Sequence, residues 1–164
     1  MNGQEPFPEL LVRPIRPDDS VRLQRTFERL SPETIYRRFF SPIHTPPPGT
    51  LHRLANVDHD NREALVVLDG DEIIAVGRWE RDARHPDDAE LALLVEDAWQ
   101  RRGVGRALTA MLVTEAGRHR IATVSATVLS DNVPIRRLLA TSLGPPLSTE
   151  LDGAQTRMSF RLAV

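Results

Sequence analysis

The sequence predicts an α/β fold, a mixed sheet of the α+β kind with helices packed on it, and three observations predict it. Ala89 to Val95 is a short apolar run that reads as a buried strand. It feeds through a glycine-spaced loop, Gln100 to Arg106, into a helical stripe at Val104, Leu108, Met111 and Leu112. Two further apolar runs, Glu63 to Leu68 and Ile73 to Arg78, are separated by Asp69-Gly70, a strong short-range hairpin signal. A second hairpin closes the chain, its strands near Leu147–Leu151 and Arg157–Leu162.

Taken in order, Met1 to Glu9 is polar and proline-containing, so residues 1–9 are expected to form a disordered tail and 10–164 one folded domain. Leu10 to Ile15 predicts a first strand, with Pro14 marking an edge or a strand end. Asp18, Asp19 and Ser20 offer cap oxygens for a helix through Leu30, with Leu23, Phe27 and Leu30 on one face. Ser31-Pro32 restarts a helix, serine as cap and proline at the first helical position, carrying Ile35, Tyr36, Phe39 and Phe40. Ser41 to Gly49, with Pro46-Pro47-Pro48, is loop and locally extended. Thr50 to Asn56 has the spacing of a short helix. The two hairpin strands follow, then a polar turn around Asp82 to Asp88 and the strand ending at Val95. The central helix ends near Gly117 or His119, and Ala122 to Val128 alternates as a strand. Asp131 or Asn132 caps a helix through Ala140, and Gly144-Pro145-Pro146 breaks the chain before the closing hairpin. The predicted order is β-α-α-β-β-β-α-β-α-β-β.

At 164 residues and 40% hydrophobic, the chain is long enough for one domain with a proper core. A net charge of −2 gives no general pull toward nucleic acid or an anionic membrane. No apolar run approaches the roughly 20 residues of a membrane helix, and the N-terminus lacks the pattern of a signal peptide. Cysteine is absent, which excludes disulfides, thiolate metal sites and a cysteine nucleophile. A cytoplasmic protein is the expectation, and no pattern specifies an oligomeric state. All 21 basic residues are arginine, permanently charged, so the chain has no lysine side chain to be acylated.

The loop carries the chemistry. Gly103 and Gly105 let the backbone turn its N–H groups into a common concavity with no β-carbons in the way. The helix start adds unpaired N–H groups and about half a unit of positive charge. Arg101, Arg102 and Arg106 stand around the same spot, so the stretch is suited to a phosphate or pyrophosphate. A dinucleotide-binding loop would have a third glycine where Leu108 stands, and a P-loop would continue as Gly-Lys-Ser/Thr. Neither pattern is present.

Gln100-x-x-Gly103-x-Gly105 resembles the Gln/Arg-x-x-Gly-x-Gly/Ala signature of the GNAT N-acetyltransferase superfamily, and the element order is similar to it along nearly the whole chain. The resemblance implies that loop amides, in Gln100, Arg101, Arg102, Gly103, Val104, Gly105 and Arg106, hold the pyrophosphate of coenzyme A. It implies that the preceding strand splays from its neighbour to pair with the pantetheine arm, and that amides in Leu93, Leu94 and Val95 polarise the thioester carbonyl of acetyl-CoA. By the same resemblance the two N-terminal helices form the floor and wall of the acceptor site, Asn132 touches coenzyme A, and Arg136 and Arg137 reach a nucleotide phosphate. Segments Arg13–Asp19, Leu30–Phe40 and Val57–Val66 are similar to the acetyltransferase domains of bacterial Pat-type protein lysine acetyltransferases. That similarity implies a protein lysine as acceptor, acyl-CoA synthetases prominent among the proteins modified. A small amine such as an aminoglycoside, polyamine or amino acid is the alternative, as is a non-catalytic acyl-CoA-binding module. Pat-type enzymes often carry a regulatory or synthetase-like domain, and neither fits within 164 residues, so regulation is expected from another chain.

Acetyl transfer to an amine needs a base, because a free lysine sits near pKa 10.4, and a carboxylate is the usual choice. Two glutamates compete. Glu90 stands at the start of the central strand, where histone-acetylating relatives place their base; Glu63 stands in the His-Asp-Asn-Arg-Glu-Ala-Leu context where Pat-type enzymes place theirs. Both strands run the same way, so both carboxylates are expected toward one end of the sheet, close enough to act as a pair. The chain departs from the family in two places. Its only tyrosine is Tyr36, not one after the last long helix, and Leu143-Gly144-Pro145-Pro146 replaces the usual Gly-Phe. A thiol of pKa near 8.5 leaves without a general acid. His59 has no second histidine at ligand spacing, so no metal is expected.

Overall fold

The computed structural model describes residues 9–42 and 45–163, so the tail expected over residues 1–9 lies outside the described residues but for Glu9. The elements are β1 (Leu10–Pro14), α1 (Asp19–Arg29), α2 (Pro32–Phe39), α3 (Pro48–Ala55), β2 (Arg62–Asp69), β3 (Glu72–Arg81), β4 (Asp88–Val95), a 3₁₀ turn (Asp97–Trp99), α4 (Val104–Arg118), β5 (Thr123–Leu129), α5 (Val133–Leu143), β6 (Ser148–Asp152) and β7 (Gln155–Arg161). The strands form one sheet in the order β1-β2-β3-β4-β5-β7-β6. Every neighbouring pair is antiparallel except β4 with β5, which α4 connects as a crossover. Among the described residues no helix is long and apolar enough to cross a membrane.

Helices cover both faces, which is why β2 and β3 read as almost unbroken apolar runs rather than alternating ones. Leu65, Val67, Trp79 and Leu91 face α4, packing with Leu108 and Leu112. Ala64, Val66, Val76 and Leu94 face α1, α2 and α3, packing with Leu23, Phe27, Ile35 and Leu51. Gly77 admits α4 to the sheet: a β-carbon there would stand 3.0 Å from Leu108 Cγ and 3.1 Å from Leu93 Cδ2. Pro14 ends β1 on the sheet edge, where its missing N–H costs no ladder bond.

Three elements differ from the sequence expectation. A third helix, α3, opens on Pro48 rather than Thr50; proline's fixed φ suits a first helical turn, so the polyproline run leads into the helix instead of ending before it. β3 continues past Arg78 because Glu80 and Arg81 pair with Glu90 and Ala89, although both are polar. The α4 stripe runs through Thr109 and Ala116, leaving Met111 44% exposed. At the start of α1, Asp18 makes no cap bond. Asp19, fully buried, accepts from Arg16 N–H at 2.8 Å and from both terminal nitrogens of Arg13 at 2.7 and 2.8 Å.

Candidate active site

β4 and β5 pair only at Asp88–Thr123, Ala89–Val124 and Glu90–Ser125. Beyond Glu90 the two strands part, and a cavity of about 390 Å³ opens between them. Its walls are β4 from Glu90 to Val95, Ala126 to Val128 of β5, the loop before α4, and the facing sides of α2 and α5. On its other edge β4 remains zipped to β3 through Val95, and Glu96 N–H donates to Ile74 C=O at 2.8 Å. Backbone direction alternates along a strand, so the N–H and C=O groups of Leu93 and Val95 face the gap, while those of Leu94 serve the ladder with β3. Of the three amides expected to polarise a thioester, two are therefore directed into the opening. Leu94 contributes its side chain to the wall.

The loop after β4 is held by side chains, not by sequence-local turns alone. Gln100 Nε2 donates to Val95 C=O at 3.0 Å and to Thr34 Oγ1 at 3.2 Å. Asp97 accepts from Ser31 N–H at 3.0 Å, from Ser31 Oγ at 2.6 Å and from Thr34 Oγ1 at 3.0 Å. Burial pushes the Asp97 carboxyl up, but the Ser31 and Thr34 donors outweigh it and hold it below the ordinary aspartate value. Ser31 also caps α2, accepting from Thr34 N–H at 3.1 Å, so the start of α2 and the phosphate-type loop form one hydrogen-bonded unit.

Arg101 and Gly103 both adopt left-handed backbone, at φ 60° and 86°. The first intrahelical bond of α4 runs from Ala107 N–H to Gly103 C=O, which leaves the amides of Val104, Gly105 and Arg106 ahead of it at the helix start. Gly105 lets the start of α4 come close to α5, since a β-carbon would lie 3.3 Å from Leu138 Cδ2. Gly103, Gly105, Arg101 and Arg106 line the cavity together with Gln100. This donor set, with its positive helix end, fits a pyrophosphate such as that of coenzyme A.

Other expected residues are placed elsewhere. Val104 is buried in the core, and Arg102 lies over the Trp99 ring, its Cζ 4.2 Å from the centroid, outside the cavity lining. Asn132 does line the cavity while accepting a long 3.4 Å bond from Ile135 N–H as the cap of α5. Arg136 turns away and donates to Ser130 C=O at 3.1 Å; it is absent from the cavity wall.

The two candidate bases do not pair. Glu63 stands opposite Trp79, which stands opposite Leu91, on the α4 face; Glu90 stands opposite Glu80 on the α1–α3 face. Glu63 is 5% exposed, and its Oε1 accepts from Ala64 N–H and lies 2.8 Å from His59 Nδ1. Glu90 is exposed at the point where β4 and β5 part, and it lines the cavity. The structure thus brings Glu90 to the β4 edge and the loop, and leaves Glu63 outside that wall. Tyr36 is also outside it.

Arg38 of α2 and Arg78 of β3 were not singled out by the sequence. Arg38 lines the main cavity. Burial pulls its guanidinium below the ordinary arginine value, with nearby Glu90 acting in the opposite direction. Arg78 shares the face of Glu90, and burial, reinforced by repulsion from Arg38 and Arg62, pushes it down to about 9. One arginine in a chain with 21 carries no special signal; only the register and the fold of α2 bring these two together.

Comparison with known proteins agrees with this fold. The model of the acetyltransferase (GNAT) family matches residues 30–144. Acetyltransferase Pat of Mycolicibacterium smegmatis is 32% identical over 130 residues, which are 78% of this chain and 39% of the relative; the chain spans about two fifths of that protein's length. The crystal structure of the GNAT domain of S. lividans PAT superimposes with a TM-score of 0.85 at 32% identity, covering 92% of this chain and 89% of that one. The structure of yncA from Salmonella typhimurium, solved with its cofactor acetyl-CoA, has a TM-score of 0.74 at 17% identity, covering 94% and 95%, and shares the fold.

Proposed function

The chain belongs to the acetyltransferase (GNAT) family, and from that premise we propose that it is a cytoplasmic, acetyl-CoA-dependent N-acetyltransferase whose acceptor is an amine, in the first place a protein lysine, with Glu90 as general base. The observation that carries the reading is that Glu90 lines the same cavity as the free edge of β4 and the first turn of α4. The relationship to Acetyltransferase Pat supports a protein acceptor. Domain limits of 10–164 are proposed on the same basis.

Acetyl-CoA supplies an acyl group activated as a thioester: the amine nitrogen bonds to the acyl carbon, the carbon–sulfur bond breaks, and the departing sulfur takes up a proton. The chain's own part is threefold. The α4 amides, with Arg101 and Arg106, take the diphosphate and fix the depth of the arm. The Leu93 and Val95 backbone groups along the gap hold the arm and donate to the acyl oxygen as negative charge develops. Glu90, directly or through a water, removes the amine proton so that the nitrogen lone pair is free to attack. Alignment of the two reactants contributes several kcal/mol by itself.

Thiol release from acetyl-CoA, measured against a panel of lysine-bearing proteins and small amines, tests the proposal. Turnover with at least one amine, lost in Glu90→Gln, is the expected result. Tight acetyl-CoA binding with no turnover on any amine would favour a non-catalytic acyl-CoA-binding module instead.

A further inference from the structure

The partly buried arginines of α1 and the strand before it are met by carboxylates. Arg13, Arg22, Arg25 and Arg29 each have one at 2.6–3.2 Å. Arg38 and Arg78 differ. Among the described residues neither has a carboxylate within ion-pair distance, and the one bond given to Arg78 is a 3.3 Å contact from Nη2 to Leu54 C=O. Both are half-buried, and the Arg38 guanidinium rests 4.8 Å from the Phe39 ring centroid.

Their position is specific. Arg78 is flanked in register by Ala64 on β2 and Ala92 on β4, two small side chains that leave space over the sheet. Arg38 and Arg78 are the charged residues of a recess of about 20 Å³ whose other walls are apolar, and Arg38, Ala92 and Leu94 of that recess also line the main cavity, so the two adjoin. Glu90 is two residues from Ala92 on the same face of β4, a separation of roughly 7 Å along the strand. That is the span of a few carbon–carbon bonds. Glu90 and Glu80 act on these guanidinium groups only from a distance, and a planar carboxylate brought to contact would meet such a fork with two hydrogen bonds.

We infer that the acceptor carries a carboxylate close to its reactive amine, and that Arg38 and Arg78 bind that carboxylate while Glu90 faces the amine. The inference rests on the acetyl-transfer reading of the main cavity. Two sources present this chemistry: a free amino acid, and a lysine with an acidic neighbour in a polypeptide.

The test pairs each acceptor with its uncharged counterpart. Free amino acids are compared with their amides, and lysine peptides flanked by Glu or Asp with the same peptides flanked by Gln or Asn. The expected result is a kcat/KM at least tenfold higher for the acid member in one of the two arms, which identifies the source. Arg78→Met should abolish the preference without changing KM for acetyl-CoA, and Arg38→Gln should abolish the preference as well. Arg78→Met should also raise the unfolding temperature, because it removes an unpaired cation; a merely structural arginine would lower it. Equal rates for acid and uncharged members in wild type, or a preference that survives both variants, overturns the inference. Calorimetric binding of hexanoate, a carboxylate with no amine, separates the two readings. Absence of turnover on every amine with arginine-dependent hexanoate binding refutes the transfer chemistry alone, whereas turnover with no hexanoate binding and no acid preference refutes the arginine site alone.

Discussion

Glu63 and Glu90 occupy equivalent ends of two strands that run in the same direction, yet their carboxylates project from opposite faces of the sheet. Glu63 belongs to the row of Trp79 and Leu91 under α4, and Glu90 to the row of Glu80 beneath α2. The period of two along a strand separates them completely: a shift of one residue in either register would put them on one face. Proximity in strand order therefore gives no electrostatic pairing here, and their substitutions should have unrelated consequences.

Glu90→Gln is expected to lower kcat for amine acetylation roughly 100-fold or more near pH 7, the typical contribution of a positioned base. The deficit should narrow toward pH 10, where a lysine amine loses its proton unaided. Glu63→Gln should leave the pH–rate profile in place and lower the unfolding temperature, since the residue is buried and bonded to Ala64 N–H and His59. A profile unchanged in Glu90→Gln and displaced in Glu63→Gln would reverse the assignment.

Gly105 offers a case in which stability and affinity should move apart. An alanine in the first turn of α4 gains about 0.5–1 kcal/mol of backbone preference over glycine. Its β-carbon would lie 3.3 Å from Leu138 Cδ2 and press that side chain, which lines the cavity. Gly105→Ala is thus expected to keep or raise the unfolding temperature while weakening coenzyme A binding about tenfold, or about 1.4 kcal/mol. Adding Leu138→Ala should restore affinity by returning the space. Titration calorimetry on the single and double variants measures both effects.

Most of the scaffold was legible because its signals are local. The Ser31-Pro32 start of α2 and the glycine-spaced loop before α4 each act within a few residues and stand where the sequence put them, and the hairpin after β2 forms with its two-residue turn one place later, at Gly70-Asp71, because Asp69 pairs with Glu72. The α3 start escaped because a run of three prolines reads as extended chain until its last member is seen to begin a helix. At the site, the loop glycines were legible, whereas the roles of Gln100 and Arg136 depended on which carbonyl each side chain reached, Val95 or Ser130. Arg38 and Arg78 were invisible because their meaning is a matter of missing partners, a property of tertiary packing rather than of spacing.

Gln100 ties the end of β4 to α2, and its loss should loosen the loop more than the strand. Gln100→Ala leaves Val95 C=O to water and removes one bond to Thr34, a change of about 0.5–1.5 kcal/mol per bond. The expected outcome is a coenzyme A dissociation constant raised about tenfold, with kcat at saturating acetyl-CoA much less affected. Gln100→Glu should be worse than alanine, because its carboxylate would face the same carbonyl and the Asp97 charge. An unchanged dissociation constant in both would show that the loop holds its shape without this latch.

Acid sensitivity should trace to Asp19. Burial alone would raise its carboxyl, but Arg13, the Arg16 amide and Arg22 together hold it below the ordinary value. A depressed native pKa means that the folded state keeps the carboxylate charged at pH values where the unfolded chain has begun to protonate. The resulting stabilisation is complete well above the unfolded aspartate value of about 3.9, and is lost as pH falls through that value toward the lower native one. Asp19→Ala, which strands the Arg13 guanidinium, is expected to cost about 3–5 kcal/mol at pH 7. Asp19→Asn should cost less, since an amide oxygen remains for Arg16 N–H. The difference between wild type and Asp19→Asn should be constant from pH 7 down to about 5 and shrink below about 4. Urea unfolding across that range decides the matter: a difference that stays level down to pH 2.5 would mean that the Asp19 charge contributes nothing to folding.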